Sequence, residues 1–396
     1  MSDASIAAAT LPIVESDEHR MMRESVHGIA AEFGHDYFVE VTRAGESPDA
    51  LWMKLAAHGF MGTTIAEEFG GAGRGLTELA LVEEELSAAG LPLLKLLVSP
   101  AIVGEIISRH ASAEQQARWL PGLADGSLRF SFAITEADAG SNSHRVATRM
   151  RACERGYVLS GSKTYISGME DSDLVLVVAN SADPGARDGR SRLSLLVLDA
   201  DARGLERQPI ATAIQAPEQQ WTLFFNDVEV DADRLVGAEG DGLATVFDGL
   251  NPERIMAAAL CNGIGRYALA KAAAYANERS VWKGLPIGAH QGVAHPLAEA
   301  KIALEAARLM TAKAAALHDA GAPAGEASNM AKLLAADAGA RCLDQAIQTH
   351  GGNGFADEYG LADLWFVVRL LRTAPVSREM ILNYVAQHSL GLPKSY

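Results

Sequence analysis

The sequence has few cysteines and fewer positive than negative charges, and each shortage excludes a class of protein. Its three cysteines among 396 residues stand far apart and form no CxxC pair, so we expect neither a disulfide scaffold nor a metal site. Lysine and arginine number 34 against 50 aspartates and glutamates, which gives a net charge of −16. Because nucleic-acid phosphates require a basic face, we expect no nucleic-acid partner.

A long uninterrupted apolar run is also missing. The most apolar segment, residues 91–107, contains Lys95, Glu105 and two prolines, and it does not reach the length of a clean membrane span. Residues 1–19 place no basic residues before an apolar run, so no secretory signal is predicted. With cysteines typical of a reducing compartment, we expect a cytoplasmic protein.

What the sequence contains falls into three blocks. Apolar residues recur at helical spacing up to about residue 129, short apolar or alternating runs follow, and long alanine-rich amphipathic segments fill the remainder. The predicted class is α+β, with an N-terminal helical domain over 1–129, a middle antiparallel β domain over 130–238 and a C-terminal four-helix bundle over 239–396. The predicted C-terminal helices are 252–278, 296–318, 325–349 and 375–390.

The stretch FAITEADAGSN, residues 132–142, is the one around which the others are organised. It begins apolar, as a strand would, and ends on Ala139, Gly140 and Ser141. A strand that runs into a turn of small residues leaves main-chain N–H groups unpaired at one spot, which suits a flat polar ring or a pyrophosphate. An ordinary capped turn would use the same residues.

Two further stretches carry polar side chains that could contact a bound ring or accept a proton. In GSKTYISG (161–168), Tyr165 could lie against a ring with the Ser167 hydroxyl on the same face, although an ordinary half-buried strand would look alike. In LNPERI (250–255), Asn251 is a good helix N-cap, which would put Glu253 in the first turn. A carboxylate there is favoured by the helix dipole, or it faces a pocket as a proton acceptor.

Two C-terminal stretches suit a nucleotide. Arg279 closes a long helix and Gln291 opens the next, and a guanidinium fork suits a pyrophosphate. Gln348 precedes Gly351 and Gly352, which let a ligand approach the main chain closely. Polar interface residues and a helix C-cap are the alternative explanations.

In this order and at this spacing, the stretches resemble the acyl-CoA dehydrogenase family across nearly the whole chain. The matching pieces are EEFGGAG, FAITEADAGSN, GSKTYISG, NPERI, NERSVWKGLPIGAHQ and QTHGGNGFADEYG. The resemblance implies the three-domain fold described above and FAD held noncovalently. It also implies oxidation of an acyl-CoA thioester to the trans-2-enoyl-CoA, with electrons passed to an electron-transferring flavoprotein.

The resemblance also assigns site residues. Tyr165 falls where the family usually has tryptophan beside the flavin, and Ser167 falls where a threonine hydroxyl approaches flavin N5. Arg279, Gln291, Gln348 and Gly352 would hold the cofactor across a subunit contact, so a homodimer or homotetramer is expected. The implied cofactor contacts are Phe132, Ile134, Thr135, Gly140, Ser141, Tyr165, Ser167, Arg279, Gln291, Gln348, Gly351, Gly352 and Ser377, and the implied acyl-CoA contacts are Ser141, Asn251 and Arg254.

The C-terminal base of many family members is missing. Aligning on Arg372 puts Pro375 at the position of the catalytic glutamate and Ser377 at that of the following threonine, and Glu379 lies about one helical turn too far along. A subset that includes isovaleryl- and long-chain-type enzymes uses a glutamate immediately before a helix arginine. That position is Glu253 here, which is therefore the predicted base.

Two other functions are compatible with the same resemblance. One is a flavin monooxygenase or oxidase of this fold, since several such relatives lack the C-terminal glutamate. The other is a catalytically silent subunit that completes the cofactor site of a paralogous partner.

Overall fold

The protein is described from a computed structural model that covers residues 15–181, 192–282 and 284–394. Most of the segment used to predict the absence of a secretory signal, residues 1–14, lies outside the described residues. The described chain has helices, then a sheet, then helices, in the predicted order.

The N-terminal block is helical, as predicted. Ser112 begins one of them with a capping box, in which its hydroxyl accepts from the Gln115 N–H while the Gln115 side chain accepts from the Ser112 N–H. No helix within the described ranges is long and apolar enough to cross a membrane. The elements are α1 (Asp17–Ala44), α2 (Asp49–Ala57), α3 (Leu76–Ala88), α4 (Leu94–Leu96), a π-helical stretch (Leu97–Gly104), α5 (Glu105–His110) and α6 (Ala113–Ala124).

The middle block is an eight-stranded sheet of order β6-β7-β3-β2-β4-β5-β8, with β1 paired to β4. Its strands are β1 (Phe130–Ala133), β2 (Arg149–Cys153), β3 (Gly156–Ser167), β4 (Leu174–Asn180), β5 (Leu193–Asp199), β6 (Leu205–Ile210), β7 (Gln220–Asp231) and β8 (Leu235–Val236). Most pairs are antiparallel, as predicted. The exceptions are β1 with β4 and a single pairing of β2 with β4, which run parallel without an intervening α-helix.

Strand β4 is buried on both faces, which explains its continuous apolar sequence. Leu174, Leu176 and Val178 face a core shared with α5 and α6. The alternate residues, Val175 and Val177, face a second core made within the β domain. A third core joins the N-terminal and C-terminal helices. The β domain therefore packs on the helices through one face of its sheet.

The C-terminal block contains three long helices, α7 (Gly242–Glu278), α8 (Gln291–Asp319) and α9 (Gly325–His350). The short strands β9 (Ser280–Trp282) and β10 (Leu285–Pro286) join α7 to α8. The predicted fourth helix, 375–390, is shorter: α11 (Arg378–Tyr384) runs into a π-helical turn (Val385–Ser389). A short helix that the sequence did not predict, α10 (Trp365–Leu370), precedes it.

Candidate active site

The loop after β1 makes a tight turn that is followed by exposed main chain. Glu136 and Ala139 exchange two main-chain hydrogen bonds of 3.2 and 3.1 Å, which close a tight turn. The Gly140 and Ser141 that follow are exposed, and their N–H groups have no partner among the described residues. A Cβ built on Gly140 would meet nothing within 4 Å. This part of the loop can therefore accept a ligand against its main chain.

The first half of the predicted loop is packed rather than open. Phe132 is buried in the core shared with the helices, and Ile134 packs against the same core. Thr135 is half-buried, and its carbonyl accepts from the Thr164 N–H on β3 at 2.9 Å. The loop is thus anchored to β3 where it leaves the sheet.

A bulge in β3 sets the direction of Tyr165. Lys163 pairs with Leu223 of β7 and Ile166 pairs with Trp221, so β3 has one residue too many between these pairs. Tyr165 has a φ of 57°, which is uncommon for a residue with a side chain, and it is 63% exposed. Tyr165 therefore lies within the bulge, next to the buried Ile166, and the prediction that it shares a face with Ser167 stays a prediction.

Ser167 is held by two neighbours that the sequence did not single out. Its hydroxyl lies 2.9 Å from Nε2 and 3.1 Å from Oε1 of Gln220, at the start of β7. The Ser131 hydroxyl donates to its carbonyl at 2.8 Å. Gln220 is 53 residues from Ser167 in sequence, and no local pattern connects the two.

Glu253 is not in the first turn of a helix, which corrects the sequence prediction. Helix α7 begins at Gly242, so Asn251 caps nothing and Pro252 lies inside the helix. Glu253 lies about three turns from the helix start, beyond the range of the terminal dipole. The dipole explanation for this carboxylate therefore does not apply.

Glu253 lies where α7 passes from one core to another. Val246 and Leu250 pack in the core of the sheet, α5 and α6, together with Ile134 from the loop after β1. From Ile255 onward, α7 packs in the core of the N-terminal and C-terminal helices. Glu253 is half-buried at this seam. Burial raises its pKa to about 7, against the opposing influence of positive charge on Arg254 and Lys332.

Two basic residues accompany Glu253. Arg254 is buried, and its Nη1 donates to Asn251 Oδ1 at 3.0 Å, while its Nε has no partner among the described residues. Lys332 on α9 is buried and donates to the Val376 carbonyl at 2.5 Å. An unpaired buried N–H beside an amide and two cations favours binding of a polar, anionic ligand.

The C-terminal segment supplies no carboxylate to this cluster. Ser377 is the N-cap of α11 and accepts from the Met380 N–H at 3.3 Å. Glu379 is exposed. The hydroxyl predicted as a cofactor contact thus also has a local role in starting a helix.

The predicted nucleotide-binding residues of the C-terminal block gather at one end of the bundle. Arg279 ends α7, Gln291 begins α8, and Gln348 lies in the last turn of α9 just before Gly351 and Gly352. The ends of α7 and α9 are joined by Tyr275 and His350, whose rings stack with centroids 4.2 Å apart. All the predicted residues at this end are exposed.

This end is far from Glu253. At 1.5 Å per residue, Arg279 lies about 39 Å from Glu253 along the axis of α7. That length exceeds the reach of one dinucleotide. Within one chain, the loop after β1 and the part of α7 just before Glu253 share a core through Ile134 and Leu250, whereas Arg279, Gln291 and Gln348 lie at the far end of α7.

The polar groups of the loop after β1 suit a flavin dinucleotide. Exposed main-chain N–H groups, an open glycine and neighbouring hydroxyls suit a ring with carbonyl and nitrogen acceptors. The described residues contain no group of three or more histidine, cysteine, aspartate or glutamate side chains that could hold a metal ion.

Comparisons with known proteins agree with this fold. Family models for the N-terminal, middle and C-terminal domains of acyl-CoA dehydrogenases match residues 16–127, 131–228 and 240–390. The acyl-CoA dehydrogenase FadE12 of Mycobacterium tuberculosis (strain ATCC 25618 / H37Rv) is 49% identical over 385 residues, which cover 97% of this chain and 98% of that protein.

Solved structures give the same result. The crystal structure of an acyl-CoA dehydrogenase from Geobacillus kaustophilus matches with a TM-score of 0.90 at 26% identity, over 97% of this chain and 100% of that one. The structure of PigA with FAD and proline matches with a TM-score of 0.89 at 26% identity, over 96% and 99%. The chain therefore belongs to the acyl-CoA dehydrogenase family, as an FAD-dependent oxidoreductase that acts on acyl-CoA thioesters.

Proposed function

We propose that Glu253 is the base that takes the α-proton of the acyl-CoA substrate. The observation that carries this proposal is its position at the seam of two cores, half-buried, with a pKa raised by burial to about 7. A base works best when its pKa lies near the operating pH, and this carboxylate meets that condition. Glu379, the other glutamate weighed as a base, is exposed and lies on α11 rather than at this seam.

The remaining residues of the cluster bind and orient in this proposal. Asn251 and Arg254 hold the anionic coenzyme A portion, which fits the unpaired Arg254 Nε. Hydrogen bonds to the thioester carbonyl stabilise the enolate charge that develops as Glu253 takes the proton. The loop from Phe132 to Ser141, with Tyr165 and Ser167, holds the flavin. When bound, FAD supplies the acceptor for the hydride that leaves the β-carbon.

We further propose that the active unit is at least a homodimer. The distance of about 39 Å along α7 argues that Arg279 serves a cofactor other than the one beside its own Glu253. The same applies to Gln291, Gln348, Gly351 and Gly352, which share that end of the bundle. The partner copy would thus contribute the nucleotide contacts of each site.

The family membership also supports an electron-transferring flavoprotein as the electron acceptor. The product is then the trans-2-enoyl-CoA, released after the electrons have passed to that partner. Three dispersed cysteines support a reducing compartment, so we propose that the enzyme acts in the cytoplasm.

The assignment of Glu253 is tested with Glu253→Gln, which keeps the shape of the side chain and removes its charge. Under anaerobic conditions, wild-type protein titrated with short, branched, cyclic and long acyl-CoAs should lose its visible flavin absorbance. Glu253→Gln should bind FAD normally and bleach about a thousandfold more slowly.

Glu379→Gln is the matched control, because it makes the same substitution at an exposed carboxylate. It should bleach like the wild type. Full bleaching at the wild-type rate in Glu253→Gln would contradict the assignment. Rapid oxygen consumption with a hydroxylated product would instead favour a monooxygenase of the same fold.

A further inference from the structure

A buried ion pair lies directly beneath the loop that follows β1. Lys163 of β3 is fully buried, and its Nζ donates to the Ile134 carbonyl at 2.8 Å and to Glu136 Oε1 at 2.9 Å. Both acceptors belong to the loop proposed to hold the flavin. A charge that has left water entirely needs such partners, so its position is tightly specified.

Glu136 extends the contact to a second segment. Its Oε2 accepts from the Ala147 N–H at 2.7 Å, and its Oε1 accepts from the Thr148 N–H at 2.9 Å. The Thr148 hydroxyl in turn donates to the Ser162 carbonyl of β3 at 3.1 Å. One carboxylate and one ammonium group therefore join the two ends of the loop between β1 and β2 to β3.

The same lysine lies at the base of the β3 bulge. Lys163 and Ile166 flank the bulge, and both are buried, while Tyr165 between them is exposed at positive φ. Positive φ in a tyrosine is unfavourable by itself, so the surrounding contacts must hold it. The Thr164 N–H, which donates to the Thr135 carbonyl at 2.9 Å, couples the bulge to the loop.

We propose that Lys163 and Glu136 are positioning residues for the cofactor, which fix the loop after β1 and the bulge at Tyr165 in one mutual geometry. We call this pair the clamp. The inference rests on the proposed cofactor role of the loop and of Tyr165. Both side chains of the clamp are buried, and they hold the exposed main chain of Gly140 and Ser141 and the Tyr165 ring in register.

An alternative is that the pair only stabilises the β domain. A buried ion pair is weak evidence for stability, because desolvation of the two charges offsets much of their attraction. Conformational specificity is the better-supported use of such a pair, and it predicts an effect on the cofactor beyond any effect on folding.

The test uses a neutral double variant, because removing one partner alone leaves a buried charge and can unfold the protein. Lys163→Met/Glu136→Gln keeps both shapes without charge. The control is Arg266→Met/Glu85→Gln, which removes one positive and one negative charge from a part-buried ion network that joins α1, α3 and α7. The FAD dissociation constant, the visible spectrum of bound flavin and the melting temperature of the apoprotein are measured for each.

We expect the clamp variant to fold, to bind FAD at least about tenfold more weakly, and to show an altered flavin spectrum. The control should bind FAD with the wild-type affinity and spectrum even where its melting temperature falls. Wild-type affinity and spectrum in the clamp variant would overturn the proposal. Equal weakening in the control would also overturn it, since the effect would then be one of general stability.

Gly140→Val separates the clamp from the assignment on which it rests. A Cβ at this position has open space in the protein, and the added side chain would project from the exposed loop. Weakened FAD binding in Gly140→Val with an unaffected clamp variant would overturn the clamp alone. Unchanged binding in Gly140→Val would overturn the role of the loop, and the clamp with it.

Discussion

The ionisation of Glu253 is decided by burial and by two neighbouring cations. Burial disfavours its carboxylate, whereas Arg254 and Lys332 favour it, and the balance leaves the pKa at about 7. Burial also lowers the pKa of Lys332, to about 8. The carboxylate that the proposed reaction needs forms as pH rises through about 7, and the cation that assists it is lost as pH rises through about 8.

A pH profile follows from this balance. The rate of flavin bleaching under kcat/KM conditions should rise with pH through about 7. Lys332→Met removes one of the two cations that lower the pKa of Glu253, so the rise should move to higher pH by about one unit. Stopped-flow measurements between about pH 5.5 and 9 would determine both profiles.

Lys271→Met is a suitable control for this profile. Lys271 also lies on α7 and donates to the Tyr359 carbonyl at 2.7 Å, but it is about 27 Å along the axis from Glu253. Its loss should leave the profile unchanged. A profile that does not move in Lys332→Met would show that this lysine does not act on the base.

At the residue scale, the sequence could identify positions but not their partners. The stretch GSKTYISG indicated Tyr165 and Ser167, yet Lys163 in the same stretch went unnoticed because a lysine in a strand usually faces solvent. Its partner, Glu136, is 27 residues away. Gln220 and Lys332 were missed for the same reason, since their roles depend on contacts distant in sequence.

At the scale of elements, α7 shows how a correct residue can be placed in the wrong context. Asn251 and Pro252 form a typical helix start, but the helix begins at Gly242. Val246 and Leu250 pack in the core under the sheet, and this tertiary burial offsets the cost of an internal proline. The prediction of Glu253 as a proton acceptor stays a prediction, whereas the prediction of its position in the helix was wrong.

A pair of buried glutamates lies between the N-terminal helices and the β domain. Glu83 of α3 and Glu218, just before β7, are both buried, and each has an Oε2 without a partner among the described residues. Their Oε1 atoms accept from main-chain N–H groups near the start of α4, Leu93 at 3.4 Å and Lys95 at 2.9 Å. Burial raises the pKa of Glu218 to about 7 and also raises that of Glu83.

This junction should weaken the fold as pH rises. The pKa of Glu218 is higher in the folded state than the ordinary value of 4.5. The stability that this shift provides is therefore fully present below pH 4.5 and is lost as pH rises through about 7. Glu218→Gln should therefore stabilise the protein at pH 8 by about 1–3 kcal/mol relative to its effect at pH 5.

Thermal melts of the wild type and Glu218→Gln at the two pH values would measure this difference. Glu229→Gln, an exposed position on β7, is the control and should change neither melting temperature. A Glu218→Gln effect that is the same at both pH values would contradict a buried, titrating carboxyl.

At the scale of the whole molecule, the sequence predicted the order of the three blocks because helical and strand periodicities are local properties. It could not predict that β1 and β4 run parallel or that α10 exists, because both depend on packing against distant segments. The sequence also could not show that Glu253 and Arg279 lie far apart along one helix, because this depends on α7 being continuous from Gly242 to Glu278.

That separation makes subunit sharing testable with mixed subunits. If each site takes its base from one chain and its nucleotide contacts from the other, a dimer of Glu253→Gln with Arg279→Glu has one intact site and one doubly impaired site. At limiting FAD, neither variant alone should lose its flavin absorbance with acyl-CoA at an appreciable rate. Chains mixed before assembly should recover about one quarter of wild-type activity, because half the dimers are mixed and half their sites are intact.

The experiment distinguishes the two arrangements because only shared sites predict that mixing restores activity. Were both residues to serve the cofactor of their own chain, every site of a mixed dimer would carry one defect, and activity would stay at the average of the parents. A mixture of Glu253→Gln with Glu253→Gln/Arg279→Glu is the control, since no pairing of those chains restores an intact site. Recovery in the first mixture and none in the second would mean that two copies build each site, and that the length of α7 sets how far apart their contributions lie.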